Sequence, residues 1–148
     1  MSAVVPDVDL SLVMLHLRQL LIAFVFALPI AINREHQAEA AGMRTFPLVA
    51  IACCAFMLVG MDVYDGSDAE ARVMYGIITG MGFVGGGSIV KKSGQADGTA
   101  TAAALWLTGA IGISVAYHRY EIALVLSICG YLIFQFSRYL KPRLQNRE

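Results

Sequence analysis

Two sets of charged residues in this 148-residue chain are candidates for ion pairing or for binding an ion. Arg34 and Arg44 bracket one short loop, and with Glu35 they could form a fixed ion-pair cluster or an anion site; the alternative is a plain interfacial anchor. The second set is acidic. Clustered carboxylates suit hard divalent cations, although acids on a solvated loop are common, so these residues are weak cation candidates. They are Asp62, Asp65, Asp68 and Glu70.

A glycine-rich segment, Gly80–Gly85, reads GMGFVG and matches the pattern GxGxxG. In dinucleotide-binding proteins this pattern follows a strand, opens a helix and precedes an acid about 20 residues further on. Here it lies inside an uncharged apolar run, so no nucleotide site is predicted. The chain also has no Ser/His/Asp arrangement and no Cys/His zinc spacing. We predict no catalytic, cofactor-binding or metal residues, and no enzyme.

The distribution of apolar residues predicts the helices that carry these charged residues. Apolar residues make up 57% of the chain and charged residues 15%, whereas a soluble domain carries about 25% charge. The apolar residues form five blocks of roughly bilayer-spanning length, which predict helices at 10–32, 46–63, 73–90, 100–117 and 122–140. We therefore predict an all-α membrane protein, a single transmembrane domain over residues 1–148 built as a bundle of five helices.

The third block contains six glycines, each costing about 1 kcal/mol relative to alanine in a water-exposed helix. In lipid the backbone must form internal hydrogen bonds, and small residues let helices approach closely. We predict that this helix is the central packing helix of the bundle. In the fourth block, Thr101 lies among small residues that suit packing on it, and Trp106 is expected as an aromatic wedge. The candidate packing glycines are Gly80, Gly82, Gly85 and Gly87.

Polar side chains in or beside the blocks carry further expectations. His16, Arg18 and Gln19 lie either at interfacial depth or toward a polar cavity in the bundle. Arg44 is expected to make a fixed hydrogen-bonding contact within the bundle, because its planar fork can bind carbonyls or a carboxylate; it is followed by Thr45, a further candidate. Hydroxyls should bond to their own helix or to a neighbour. They belong to Thr79, Ser88, Thr101, Thr108 and Ser114.

Lysines and arginines are distributed unevenly between the two sides of the predicted bundle. Arg18 lies within the first helix and is left out of the count; of the others, only Arg72 and Arg119 fall on one side. Eight fall on the other: Arg34, Arg44, Lys91, Lys92, Arg138, Lys141, Arg143 and Arg147. The basic side is expected to be cytoplasmic, which places the N-terminus outside and the C-terminus inside. The N-terminus lacks the features of a cleavable signal, so the first helix is expected to be retained.

Three blocks of residues resemble the signature of the MgtC/SapB family. They read AGMRT at 41–45, TGMGFVGGG at 79–87, and GTAT at 98–101 followed by LW at 105–106. The resemblance covers nearly the whole chain and implies a bacterial inner-membrane protein with five spans and no added cytoplasmic domain. It also implies links to magnesium homeostasis, growth at low magnesium, stress and survival inside host cells (virulence). The family usually has an acid before the arginine that ends the first helix, where this chain has Asn33.

Two classes of function follow. One is a non-enzymatic regulator that binds another membrane protein through its helices, with ATP synthase as the partner that the resemblance implies and a homo-oligomer as a further arrangement. The other is a transporter or channel for magnesium or another cation. The regulator is favoured because no Asp or Glu lies near the middle of a block and no inverted repeat is evident. The lipid bilayer is a further expected partner. No cofactor and no nucleic acid is expected.

Overall fold

The computed structural model describes residues 8–36, 41–92 and 94–145 of the chain. In these residues five helices follow one another: α1 (Leu10–Glu35), α2 (Thr45–Val63), α3 (Ser67–Gly87), α4 (Thr99–Ala116) and α5 (Tyr120–Gln145). Four of them are long and apolar enough to cross a membrane: α1, α2, α4 and the Tyr120–Tyr139 part of α5. This confirms a helical protein with membrane-spanning helices. Because α3 is not among the four, the fifth span stays a prediction.

Helix α3 begins at Ser67, six residues before the predicted block, and its first turn is polar. Asp68 and Glu70 lie in that turn, where carboxylates are favoured by the positive end of the helix dipole. Together with the glycines, these residues lower the hydropathy of α3, which has no segment as apolar as the candidate spans of the other four helices. At its far end the Ser88 Oγ donates to the Gly85 carbonyl oxygen at 2.7 Å, just past the last helical residue.

A short antiparallel hairpin connects α3 to α4 and departs from the all-α prediction. Its strands are β1 (Val90–Lys92) and β2 (Gln95–Asp97), with Val90 opposite Asp97. Gly94 in the connection has a φ of 84°, a conformation that glycine adopts without steric cost. Strands of three residues are too short to produce a recognisable alternating pattern, which is why hydropathy did not predict them.

Helix α4 is the centre of the bundle and packs against all four other helices. Its glycines permit close approach: a Cβ built on Gly112 would overlap the Ala50 carbonyl oxygen of α2, and one on Gly109 would lie 3.2 Å from the Met81 Cγ. The prediction that α3 is the central packing helix is therefore wrong. Only Met81 and Gly85 of α3 are buried. Glycine content marks a helix that could pack closely, but α4 combines small residues with apolar ones all round.

The start of α1 lies outside the packed bundle. Asp9 caps the helix by accepting a hydrogen bond from the Ser11 backbone N–H at 2.8 Å. Residues 10–18 are all exposed, including His16 and Arg18, whereas Gln19 is buried. Of the three polar residues noted near the start of the first block, only Gln19 faces the interior.

Candidate functional site

A cluster of polar and aromatic side chains joins the last turn of α1 to α4 and α5. The Arg34 Nη2 donates to the Thr101 Oγ1 at 2.8 Å, and the guanidinium carbon lies 5.3 Å from the centre of the Phe134 ring. The adjacent Asn33 Nδ2 donates to the Gln135 Oε1 at 3.3 Å. We call these five residues the Arg34 cluster. It brings together side chains that are 67 to 102 positions apart in the chain.

The guanidinium of Arg34 is buried without a matching negative charge. The residue is 8% exposed, and its Nε has no hydrogen-bond partner. Within the described residues Arg34 forms no ion pair with a carboxylate. Removing a guanidinium from water is costly unless compensating contacts form, and a hydroxyl with an aromatic face replaces hydration only in part. The cluster therefore keeps the charged guanidinium of Arg34 in a fixed position, from which it can donate hydrogen bonds to an incoming oxygen atom.

The first turn of α4 contributes the other half of the site. Gly98 at the N-cap has a φ of 88°, and the helix start carries no side-chain cap. Gly98 is required there because an added Cβ would overlap the Ser88 carbonyl oxygen. Thr101 lies in this turn and is 3% exposed. The positive end of the α4 dipole therefore points to the same region as the buried guanidinium.

Arg44 does not make the contact that was expected of it. Its side chain is exposed and forms no hydrogen bond within the described part of the chain. Arg34 makes the fixed contact instead, because the last turn of α1 faces α4 and α5 whereas Arg44 precedes the first residue of α2. The α1–α2 connection is held by the Glu35 Oε2, which accepts from the Met43 backbone N–H at 2.7 Å. Thr45 opens α2 and is half-buried.

The candidate glycines of α3 differ in their surroundings. A Cβ on Gly85 would lie 3.4 Å from the Ala102 carbonyl oxygen, so this glycine does pack on α4. No atom of the described residues lies within 4 Å of such an atom on Gly80, Gly82 or Gly87. These three face open space in the single chain, and their packing role stays a prediction. The GxGxxG match lies wholly inside α3, with no strand before it in the described chain.

Trp106 is not the interior wedge that was expected. It is 52% exposed on the outer surface of α4, and the neighbouring Leu105, which is 2% exposed, takes the inward position. The hydroxyl expectation is confirmed for four residues. Ser88, Thr108 and Ser114 bond to carbonyls of their own helix, and Thr101 bonds to α1.

The four acidic residues near α3 are not brought together into a cation site. Glu70 accepts a hydrogen bond from the Tyr117 hydroxyl at 3.0 Å. Burial and then the hydrogen bond and charge of Glu70 raise the pKa of Tyr117. Asp62, Asp65 and Asp68 are exposed. Over the described ranges, no group of three His, Cys, Asp or Glu residues could hold a metal ion.

A second polar contact at the other end of the bundle was missed from sequence. The Gln19 Nε2 and the His118 Nε2 lie 3.3 Å apart, and the His118 ring meets the Tyr120 ring edge-on at 5.9 Å. An amide inside an apolar block was a usable signal for burial. Its partner was not predictable, because His118 lies 99 positions away on the α4–α5 turn.

Comparison with known proteins gives one family match and several relatives. The model of the MgtC family matches residues 20–143. YhiD of Escherichia coli (strain K12), a proposed magnesium transporter, is 30% identical over 138 residues, which are 88% of this chain and 64% of YhiD. SrpB of Synechococcus elongatus is 32% identical over 142 residues, covering 83% of this chain and 78% of SrpB. MgtC of Salmonella typhimurium is 31% identical over 113 residues, covering 76% of this chain and 48% of MgtC.

This chain thus spans less than two thirds of the length of YhiD and about half of MgtC. No solved structure matches it. The family match covers the segment from Leu20 to Arg143, which includes every residue of the Arg34 cluster and all of α2 to α4. Together with the membrane-spanning helices, the match shows that this chain belongs to the MgtC family.

Proposed function

We propose that this chain is a non-enzymatic regulatory protein of the bacterial inner membrane, linked to magnesium homeostasis and to growth at low magnesium. It acts by binding another membrane protein through its helices. A subunit of ATP synthase is the first partner to test. A role in stress or in survival inside host cells belongs to the same proposal.

The observation that carries this proposal is the open surface of α3. Five of its glycines have no neighbour among the described residues within 4 Å of a built Cβ: Gly76, Gly80, Gly82, Gly86 and Gly87. Beside them Phe83 is 85% exposed and Tyr75 is 72% exposed. Small residues with adjacent aromatic ones form a surface on which a second membrane helix can pack closely. Because only Met81 and Gly85 of α3 are buried, most of this helix surface is open to a partner.

The buried polar groups support a regulator over a cation pathway. Those of the described residues are Gln19, Asn33, Arg34, Thr101, Thr108 and Ser127. None of these carries a negative charge, and Arg34 is a fixed positive charge. A divalent cation needs oxygen ligands along its path and is repelled by a buried guanidinium.

Magnesium transport is the second candidate function, and the name of YhiD favours it. Purified protein in sealed liposomes separates the two. A regulator passes no magnesium above the leak of empty liposomes. Saturable magnesium flux that requires the folded chain would establish transport and contradict the regulator.

Site-specific crosslinking tests the α3 surface. A photoreactive phenylalanine analogue replaces Phe83, and the matched control carries it at Phe56 on α2, which is 62% exposed. In native membranes we expect Phe83, but not Phe56, to capture a different membrane protein. The additional change Gly82→Leu should abolish both this product and growth at low magnesium, with no loss of thermal stability in detergent. A product containing only a second copy of the chain would instead indicate a homo-oligomer, and no product at Phe83 would reject the surface.

The orientation in the membrane is part of the proposal and rests on the distribution of lysine and arginine; Arg147 lies outside the described residues. Reporter fusions after Lys92 and after Glu148 should read cytoplasmic, and a fusion near Asp68 should read external. A periplasmic signal from the C-terminal fusion would reverse the assignment.

A further inference from the structure

The α4 N-terminus lies beside a buried cation that forms no ion pair within the described residues. Arg34 is more than nine-tenths buried, its Nε has no partner, and its Nη2 lies 2.8 Å from the Thr101 Oγ1 in the first turn of α4. That turn has no side-chain cap, so its N–H groups add to the positive end of the helix dipole. A buried cation and a helix N-terminus, which come from different elements, therefore meet at one point.

The chemistry of Thr101 shows what could complete the site. Its Oγ1 accepts the hydrogen bond from Arg34, which leaves its own hydroxyl proton available as a donor. The donors at this point are then a guanidinium, a hydroxyl and backbone N–H groups, and they belong to two different helices. Asp97 accepts from the Gly98 N–H at 2.9 Å, just before the helix, and forms no hydrogen bond or ion pair with Arg34.

We propose that the Arg34 cluster and the first turn of α4 form a binding site for a phosphate group. A phosphate presents several oxygens in a tetrahedral arrangement, which suits donors that approach from two helices better than a planar carboxylate does. A guanidinium binds phosphate with charge-assisted, bidentate hydrogen bonds, and a helix N-terminus is a natural site for the same anion. The phosphate is that of an anionic lipid headgroup or inorganic phosphate, since the same donors serve both. The inference does not depend on the α3 surface.

Two arms of one experiment distinguish these sources. The full-length protein in detergent is titrated with inorganic phosphate against chloride at equal ionic strength, and thermal stability is measured. In parallel, the protein is placed in phosphatidylcholine nanodiscs that contain an increasing fraction of phosphatidylglycerol. The protein is then released from the nanodiscs, and the lipid that stays bound to it is measured by native mass spectrometry. A saturable rise in the thermal unfolding midpoint with phosphate identifies inorganic phosphate as the ligand. Selective retention of phosphatidylglycerol identifies the lipid headgroup as the ligand.

Three variants and one matched control locate the binding. Arg34→Lys keeps the charge but removes the planar fork, Arg34→Gln removes the charge, and Thr101→Val removes the hydroxyl at similar volume. Each should raise the concentration of phosphate or lipid needed for half-saturation at least about tenfold, as expected for losing a charged hydrogen bond. Arg44→Gln removes an exposed arginine from the same end of the molecule and should bind as the unmodified chain does.

Binding that is lost in the Arg34 and Thr101 variants and kept in Arg44→Gln supports the site. If Arg34→Gln does not fold, Arg34→Lys and Thr101→Val decide the question, because both keep the volume of the cluster nearly unchanged. No saturable response in either arm overturns the proposal. Equal weakening in Arg44→Gln and the Arg34 variants also overturns it, since that result would show only attraction to a basic surface.

Discussion

The glycines of α4 and those of α3 are the same residue used in two opposite ways. In α4, an added side chain on Gly112 would collide with the α2 backbone, and one on Gly109 would be crowded by the Met81 side chain. In α3, Gly80 and Gly82 stand where an added Cβ would meet no atom of the described part of the chain within 4 Å. A glycine in a membrane helix thus indicates a position kept free of side chain, and only its neighbours show whether that space is already filled.

The energetic consequence differs between the two helices. A glycine inside a helix costs about 1 kcal/mol relative to alanine. In α4 the close contact of α4 with α2 offsets this cost through packing. In α3 the described residues provide no such packing at five positions, and a partner helix would supply the compensation under the proposed function. This is the physical basis for assigning the α3 surface to a partner.

Gly112→Ala should have the largest effect among single alanine substitutions that compare the two helices. The new Cβ would overlap the Ala50 carbonyl oxygen, which is backbone and cannot move without shifting α2. Overpacking of this kind costs about 1–3 kcal/mol, so the thermal midpoint in detergent should fall clearly. An unchanged midpoint would mean that α2 and α4 are further apart than described.

Gly82→Ala should act in the opposite direction and more weakly. Its Cβ meets nothing within 4 Å, so the change only raises helix propensity, by up to about 1 kcal/mol. The thermal midpoint of the isolated protein should stay the same or rise, while crosslinking through Phe83 should weaken. A marked fall in the midpoint of the monomeric protein would show that Gly82 packs within its own chain and would remove the contrast with Gly112.

Gly85→Ala should have the smallest effect of the three. The added methyl would lie 3.4 Å from the Ala102 carbonyl oxygen, which is a tight but tolerable contact. The gain in helix propensity and the loss from crowding should nearly cancel, giving a stability change within about 0.5 kcal/mol. Chemical denaturation in detergent measures this best, with Gly112→Ala as the reference for a crowded site. A loss as large as that of Gly112→Ala would place α3 in the packed core after all.

Several parts of the site could be predicted from sequence and others could not. Arg34 was a candidate because it brackets one short loop with Arg44 and could join Glu35 in an ion-pair cluster or an anion site; the structure gives it a buried hydrogen bond to Thr101 instead of an ion pair. The fixed contact was expected of Arg44, since both arginines bracket one loop and the sequence contains nothing that tells which of them faces α4. Gln135 and Phe134 were not assigned to the site, because α5 meets α1 only after the whole bundle has formed.

Sequence alone was enough to predict the class of protein and the presence of five helices in the described residues. Long uncharged blocks must form helices in lipid, because each backbone group then bonds within its own segment, and this needs no knowledge of neighbours. The family membership is equally a property of the sequence. The tertiary structure was needed to show that α4 rather than α3 lies at the centre. It was also needed to show that Arg34 rather than Arg44 is buried and that Trp106 points outward. These outcomes depend on which faces of different helices meet, and lipid is as apolar as the helix surfaces, so hydropathy cannot distinguish a face covered by protein from one covered by the bilayer.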